Sequence, residues 1–176
     1  MDSIKGKVLV FTDLHLGLKG ASKKRLAICV KVVKDIIAYA KSNGISTCVF
    51  CGDWHHTRVS TENNVLNVSY KLMSALAKHL KVYAILGNHD IYMKNSSDIN
   101  SMVIFNDIEN VEVVGSLKEV DINGKLGLFI PWQTDVTELE KDKYDFMFGH
   151  FEISYKYLLQ AYIEQHSETK KADYSL

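Results

Sequence analysis

The sequence lacks an excess of charge of either sign, because its 176 residues contain 21 lysines and arginines and 21 aspartates and glutamates. Without a general positive field, any contact with nucleic acid has to be local. It also lacks a long apolar run: no stretch approaches the roughly 20 residues that a membrane span needs. The charged N-terminal residues 1–7 do not form a secretory signal. These absences predict an intracellular (cytoplasmic) protein without a membrane span.

Cysteine is scarce too, and the spacing of the cysteines gives little support to a metal or redox site. Cys48 and Cys51 form a C-x-x-C pair, and Cys29 stands apart from them. A zinc site would need a second cysteine pair or a nearby histidine pair, and a strand places residues three apart on opposite faces. We predict that they act as buried small apolar residues, with a zinc or redox role as the alternative.

The chain does contain enough apolar residues for one packed domain. Hydrophobic residues make up 47% of it, and there are no internal repeats or low-complexity linkers. We therefore expect residues 1–176 to form a single domain.

Strands and helices alternate along the first half of the chain. Buried apolar runs predict strands at residues 7–12, 45–51 and 82–86. Apolar residues at helical spacing predict helices at residues 23–41 and 61–80, and Asn43-Gly44 ends the first of them. This alternation is typical of a βαβαβ unit with a parallel sheet, which is an α/β fold.

The second half of the chain has shorter predicted elements. A short helix is predicted at residues 98–107 and a longer one at residues 152–165, followed by a polar tail. Strands are predicted at residues 111–114, 117–121, 125–130 and 144–148. Asn123-Gly124 indicates a tight hairpin turn between the second and third of these strands.

Four of the predicted strands end in residues that can bind metal ions. These ends read Asp13-Leu14-His15, Gly52-Asp53, Gly87-Asn88-His89-Asp90 and Gly149-His150. Because parallel strands of one sheet end at the same edge, we expect the side chains to converge. Carboxylate, amide and imidazole ligands together suit divalent transition metals, and two metals that share a carboxylate are able to clamp a phosphate ester.

In this order, the four motifs resemble those of the calcineurin-like metallophosphoesterases, over nearly all of residues 7–152. Within that superfamily the chain is most similar to the nuclease subunits of SbcCD-type recombination complexes, particularly those of T-even phages. The details that support this are Asp13-Leu14-His15-Leu16-Gly17, Ile130-Pro131-Trp132 and Gly149-His150-Phe151-Glu152. The resemblance implies a two-sheet α/β sandwich flanked by helices. It also implies a DNA exonuclease or endonuclease of recombination and repair, paired with an SbcC-like coiled-coil ATPase.

The resemblance also implies a role for each residue of the motifs. Asp13 and His15 would bind a first metal ion, Asp53 would bridge two ions, and Asn88 and His150 would bind the second, with Mn²⁺ as the favoured metal. His89 would act as the acid that stabilises the phosphate or protonates the leaving oxygen, held in its tautomer by Asp90 or by a backbone carbonyl.

The chain departs from the family pattern after His150. The family completes its site with a later histidine motif of the Gly-His-x-His type, whereas the only later histidine here is His166, which follows no predicted strand. We expect that the chain is truncated or that another chain completes it, and a degenerate protein with a weakened site is the alternative. A second sheet left incomplete would expose an apolar edge.

Two further residues and a pair of helices are weaker candidates. His56 lies close behind Asp53, and Arg58 follows it, so both are candidates for lining the site. The apolar faces of residues 66–80 and 99–105 either belong to the core or, as the resemblance implies, form a homodimer contact. Two other functions stay open: a phosphoesterase for small nucleotides or phosphoproteins, and a scaffold with little catalysis.

Overall fold

The computed structural model describes residues 1–93 and 96–151 as two four-stranded sheets, a small two-stranded ribbon and helices. The strands are β1 Asp2–Ile4, β2 Val8–Phe11, β3 Thr47–Cys51, β4 Lys81–Ile85, β5 Ile91–Met93, β6 Ser96–Asn100, β7 Val111–Val114, β8 Lys118–Ile122, β9 Lys125–Ile130 and β10 Phe146–Gly149. The α-helices are α1 Lys23–Ser42 and α2 Asn63–Ala77, and two short 3₁₀ helices span Ser101–Phe105 and Lys141–Lys143. The helix predicted at residues 152–165 and the candidate His166 lie outside the described residues.

The first sheet has the strand order β2-β3-β4-β7, and each strand pairs in parallel with the strand beside it. Its two central strands carry apolar side chains on both faces, because α1 and α2 cover one face and the second sheet covers the other. This arrangement confirms the predicted βαβαβ unit.

The second sheet has the order β1-β8-β9-β10 and mixes both strand orientations. β8 and β9 form an antiparallel hairpin across Asn123-Gly124, whose φ angles of 56° and 81° are those that a tight hairpin turn requires. β1 and β10 pair in parallel with their neighbours. The hairpin was predicted, whereas β1 was not, because Asp2-Ser3-Ile4 contains only one apolar residue and three residues carry almost no pattern.

Residues on both inner faces fill the space between the sheets. Val49, Tyr83 and Ile85 of the first sheet pack against Val120 and Phe129 of the second. Each of these side chains is at most 4% exposed, so this layer and the layer under the helices form the core of a two-sheet sandwich flanked by helices. The predicted fold class is confirmed.

Two details of the prediction are wrong. β10 pairs with β9, so the strand before His150 belongs to the second sheet and not to the sheet that carries the other three motifs. An apolar run shows that a strand is buried but not which neighbour it pairs with. Residues 98–107 do not form one helix: β6 pairs with β5 in a ribbon, and only Ser101–Phe105 is helical, as a 3₁₀ turn.

The cysteines are unpaired thiols that fill space in the core. Cys48 lies among the side chains under the helices, while Cys51 contacts the layer between the sheets, so the two occupy opposite faces of β3 as predicted. Burial raises the pKa of the Cys48 thiol to about 12 and that of Cys51 to about 11. Thiols held protonated in this way are poor metal ligands and nucleophiles.

Candidate metal centre

The loops after β2 and β3 run side by side and are held together by their backbones. The N–H groups of Asp13 and His15 donate hydrogen bonds of 3.0 Å to the carbonyls of Gly52 and Asp53. Asp13, His15 and Asp53 have φ angles of 58°, 47° and 64°, a left-handed conformation that costs energy for residues other than glycine. Three strained residues in two paired loops indicate a functional site, because packing has to hold them there.

Two glycines let a third loop, the one after β4, approach these two. A Cβ atom on Gly52 would lie 2.7 Å from the Cα of Gly87 and 2.7 Å from the ring of His150. A Cβ atom on Gly87 would overlap the carboxylate of Asp53. The close approach of the loops therefore requires glycine at both positions.

Asp90 ties the loop after β4 to the loop after β3. Its fully buried carboxylate accepts hydrogen bonds from the N–H groups of Asp53, Trp54, His55 and Gly87, at 2.8 to 3.2 Å. Burial raises the pKa of Asp90 to about 6, although the backbone donors act in the opposite direction. One of the predicted alternatives was that Asp90 holds the ring of His89. Its oxygens bind backbone amides instead, so Asp90 shapes the loops and does not contact that ring.

Asp53 lies at the centre of the site, and its two carboxylate oxygens face different histidines. Oδ2 lies 3.5 Å from Nε2 of His15, while Oδ1 lies 3.6 Å from Nε2 of His150. The carboxylate of Asp13 adds to the first side, with Oδ1 at 3.3 Å from Nε2 of His15. A buried carboxylate that faces a separate ligand group on each side has the geometry of a bridging ligand.

The side of Asp53 that faces His150, which we call the second side, is bordered by Nε2 of His150 and the amide of Asn88. Nδ1 of His150 lies 2.9 Å from the carbonyl oxygen of Cys51, so this nitrogen donates the hydrogen bond and leaves Nε2 as the ring atom that faces Asp53. Nε2 lies 2.9 Å from Oδ1 of Asn88. The same amide oxygen lies 3.1 and 3.2 Å from the two carboxylate oxygens of Asp53.

With its amide reversed, Asn88 donates from its nitrogen to Asp53 and accepts at its oxygen from Nη2 of Arg58, which satisfies these groups without a cation. With its oxygen turned toward Asp53, the same amide joins an imidazole nitrogen and a carboxylate as a ligand. This set of donor atoms fits a divalent metal ion.

His89 is oriented by a backbone carbonyl. Its Nδ1 donates a hydrogen bond to the carbonyl oxygen of His56, and its Nε2 lies 4.0 Å from Oδ2 of Asp53. The backbone N–H of His89 also donates to Oδ1 of Asp53 at 2.9 Å. The ring thus presents Nε2 to the first side of the site.

The two weaker candidates also lie at the site. The ring of His56 stacks on that of His89, and its Nδ1 lies 3.4 Å from Nδ1 of His15. Burial and the neighbouring rings of His15 and His89 lower the pKa of His56. Nη2 of Arg58 lies 3.2 Å from the amide atom of Asn88 that faces away from Asp53. Arg58 therefore borders the second side of the site, where a phosphate would need a positive charge.

Sequence reasoning missed two groups that hold the ligands in place, and it left open which group orients His89. The hydroxyl of Thr12 lies 2.7 Å from Oδ2 of Asp13, and the carbonyl of Cys51 orients His150. For His89, the backbone-carbonyl alternative is the one observed, with the carbonyl of His56 as the acceptor. No sequence signal identifies a backbone carbonyl, while the only signal for Thr12 is a hydroxyl residue directly before the first motif.

His55 differs from its neighbour His56 because it belongs to the core. Its ring is fully buried, and its two nitrogens lie 2.8 and 2.7 Å from the hydroxyls of Ser101 and Ser69. Burial lowers its pKa to about 4, so the ring is neutral. His55 connects the loop after β3 to α2 and to the 3₁₀ helix Ser101–Phe105, which is a structural role.

Comparison with known proteins gives a family, a curated relative and a distant structural likeness. The family model described as calcineurin-like phosphoesterase matches residues 6–174. Exonuclease subunit 1 of Enterobacteria phage T4 is 28% identical over 156 residues, which are 84% of this chain and 46% of that protein. The chain thus spans about half the length of this relative.

The structural likeness is to a protein of unknown function from Aquifex aeolicus. The TM-score is 0.42 at 16% identity, covering 81% of this chain and 68% of the other. A likeness this weak does not bear on function. Among the described residues, no helix combines the length and the apolar character that crossing a membrane requires.

Proposed function

The chain belongs to the calcineurin-like phosphoesterase family, and we propose that it is a metal-dependent phosphodiesterase that cleaves DNA. Asp53 carries this proposal. Its carboxylate is 2% exposed and turns one oxygen toward His15 and the other toward His150, which is what a bridge between two cations requires.

The described residues offer a ligand set for each of two divalent ions. Asp13, His15 and one oxygen of Asp53 would hold the first, while Asn88, His150 and the other oxygen would hold the second. Manganese is the ion we propose, because the set combines carboxylate and amide oxygens with imidazole nitrogens. Bound there, the ions would supply positive charge beside the phosphate and make an attacking water more acidic.

The chain's own residues supply the remaining chemistry. His89 directs Nε2 toward the first side of Asp53 and is able to donate a proton to a phosphate oxygen or to the leaving oxygen. Arg58 stands beside Asn88 with a guanidinium that is suited to a phosphate. His56 stacks on His89 and limits the movement of that ring.

The choice of DNA rests on the relative whose printed name is exonuclease subunit 1. Its description as a subunit also supports a partner, which we propose to be an SbcC-like coiled-coil ATPase in recombination and repair. A homodimer is a further proposal, because α2 and the 3₁₀ helix Ser101–Phe105 leave Tyr70 and Val103 at least half exposed.

The test is hydrolysis of bis-p-nitrophenyl phosphate with and without Mn²⁺. We expect activity that requires the metal and falls by at least about a hundredfold in Asp53→Asn, since the bridging charge is lost. Asp35→Asn is the matched control, because this exposed aspartate on α1 forms an ion pair with Lys31 and with no other residue in the described part of the chain. Calorimetric titration with Mn²⁺ gives an independent readout, in which Asp53→Asn weakens binding and Asp35→Asn does not.

Activity without metal, or equal activity in Asp53→Asn, would contradict the proposal. Substrates then separate the candidate functions. Cleavage of linear DNA supports the nuclease, and cleavage of p-nitrophenyl phosphate and small nucleotides alone supports the other phosphoesterase. Metal binding without hydrolysis of any substrate supports a scaffold.

A further inference from the structure

A cleft of about 940 Å³ lies beside the metal centre and plays no part in the chemistry described above. Its walls come from β6, from the turn after β7 and from the turn after β9. The lining residues that matter here are Ser96, Ser97, Ser116, Trp132, Gln133 and Thr134. We call it the Trp132 cleft.

Trp132 forms the boundary between this cleft and the metal centre. Trp132 lines the cleft, packs in part against the core, and meets the ring of His150 edge to face, with 6.2 Å between the ring centroids. The backbone N–H of Trp132 donates to the carbonyl of Leu86, the residue before the loop that carries Asn88 and His89. A group bound in the cleft would therefore be next to a phosphate bound at the second side of the site.

The turn that follows Trp132 is held in a strained conformation. Gln133 has a φ angle of 66°, the left-handed region that Asp13, His15 and Asp53 also adopt at the metal centre. Thr134 stabilises the turn, since its hydroxyl donates to the carbonyl of Pro131 at 2.9 Å. The exposed amide of Gln133, which offers both a donor and an acceptor, is thus presented from a fixed backbone.

The chemistry of the lining decides what kind of group fits. Among the described residues that line the cleft there is no lysine or arginine, and Asp98 is the single charged side chain. A phosphate would be repelled there. A planar aromatic ring beside hydroxyl and amide groups instead suits a neutral, planar ligand with hydrogen-bond donors and acceptors on its edge, which describes a nucleobase.

We propose that the Trp132 cleft is a subsite for one nucleobase of a nucleic acid substrate. Trp132 supplies the stacking surface and Gln133 a hydrogen bond to the base edge. The base binds beside the phosphate that is cleaved, to which it is joined through a single sugar. This inference rests on the proposed phosphodiesterase function, and it makes a nucleotide, not a phosphopeptide, the substrate class.

The test compares two phosphodiesters with the same leaving group: thymidine 5′-(p-nitrophenyl phosphate), which has a base, and methyl p-nitrophenyl phosphate, which has none. The measured quantity is the ratio of their kcat/KM values. We expect the wild-type chain to favour the thymidine ester, and Trp132→Leu to lower the ratio by roughly tenfold, mainly through KM. Gln133→Ala should lower it less, by about threefold.

Tyr39→Leu is the matched aromatic control. Tyr39 is 60% exposed near the end of α1, which leads into the start of β3 at the edge of the sheet opposite the metal centre. Its substitution should leave the ratio unchanged. A ratio that is the same in the wild type, Trp132→Leu and Gln133→Ala, with both esters hydrolysed, would overturn the nucleobase subsite while leaving the phosphodiesterase function intact.

Binding without catalysis gives the second readout, which applies even if neither ester is hydrolysed. Thymidine should quench the fluorescence of the wild-type chain and have no effect on Trp132→Leu. The other tryptophan, Trp54, is fully buried and donates to Ser69, so it does not respond to a ligand in the cleft. If the fluorescence of the wild-type chain did not change up to millimolar thymidine, the subsite would be overturned, whether or not the chain is a phosphodiesterase.

Discussion

The two sheets contribute to the metal centre in different ways. The first sheet provides the loops after β2, β3 and β4, which are held together by backbone hydrogen bonds, by a glycine contact and by the buried carboxylate of Asp90. The second sheet provides His150 from the end of β10, whose side chains are half-buried or exposed. The loops of the first sheet are therefore tied into the core at the buried Asp53 and Asp90, while His150 is supplied by an edge strand of the other sheet.

This comparison teaches that folding and ligand binding are separable in this protein. Residues of the loops of the first sheet should affect stability as well as function when they are changed, because the same groups position the ligands and hold the loops. His150 should affect metal binding alone.

Of the substitutions considered, Asp90→Ala should reduce the stability of the protein most. It removes the acceptor of four buried backbone N–H groups, so we expect the free energy of unfolding to fall by about 3 to 5 kcal/mol. Urea denaturation measures this loss, and the exposed Asp107→Ala serves as control. A loss below about 1 kcal/mol would mean that the loops do not depend on this carboxylate.

The second largest loss of stability is expected on acidification, through His55 in the loop after β3. The pKa of His55 falls from its ordinary value of 6.5 to about 4 on folding, so between these values the unfolded chain binds a proton that the folded chain does not. The stability that neutral His55 contributes is complete above pH 6.5 and is lost as pH falls toward 4.

The expected loss is about 2 kcal/mol between pH 7 and pH 5, measured by urea denaturation at both pH values. In His55→Gln the same pH change should cost about 2 kcal/mol less than in the wild type. Other histidines titrate in both proteins, so the difference between the two isolates His55. Equal pH dependence would show that His55 takes up its proton in the folded state.

His150→Gln should have the smallest effect on stability. We expect less than about 1 kcal/mol, because the residue lies at the end of an edge strand and its Nδ1 makes one hydrogen bond, to the carbonyl of Cys51. Binding of Mn²⁺, measured by calorimetry, should nevertheless weaken by at least about tenfold. The exposed His79→Gln is the control for both measurements. If His150→Gln lowered the free energy of unfolding as much as Asp90→Ala does, the two sheets would not contribute to the site in different ways.

The sequence predicted the strands of the first sheet and the points at which they end, because these signals are local. An apolar run followed directly by Asp13 or by Gly52-Asp53 marks both the strand and the residues at its end. The family and the two-sheet fold, given by the resemblance, are confirmed as well. The roles of the individual site residues stay predictions that the experiments above address.

What the sequence could not give depends on contacts between distant residues. The pairing of β10 with β9 is decided by which edge of a sheet accepts the strand, and a run such as Phe146 to Gly149 carries no such information. The carbonyls of Cys51 and His56 are backbone atoms, so no residue type reveals them. Asp90 matches a motif position, but its four amide partners are visible only in three dimensions.

The contact between Gly52 and Gly87 has a consequence for how such a protein changes in evolution. These glycines are required by the space between two loops, whereas Asp13, His15 and His150 would be required by the proposed reaction. If that reaction were lost, selection on the proposed ligands would relax, yet both glycines would still be needed for the loops to pack. Substitutions at the glycines would therefore report on the architecture, and substitutions at the proposed ligands on the chemistry.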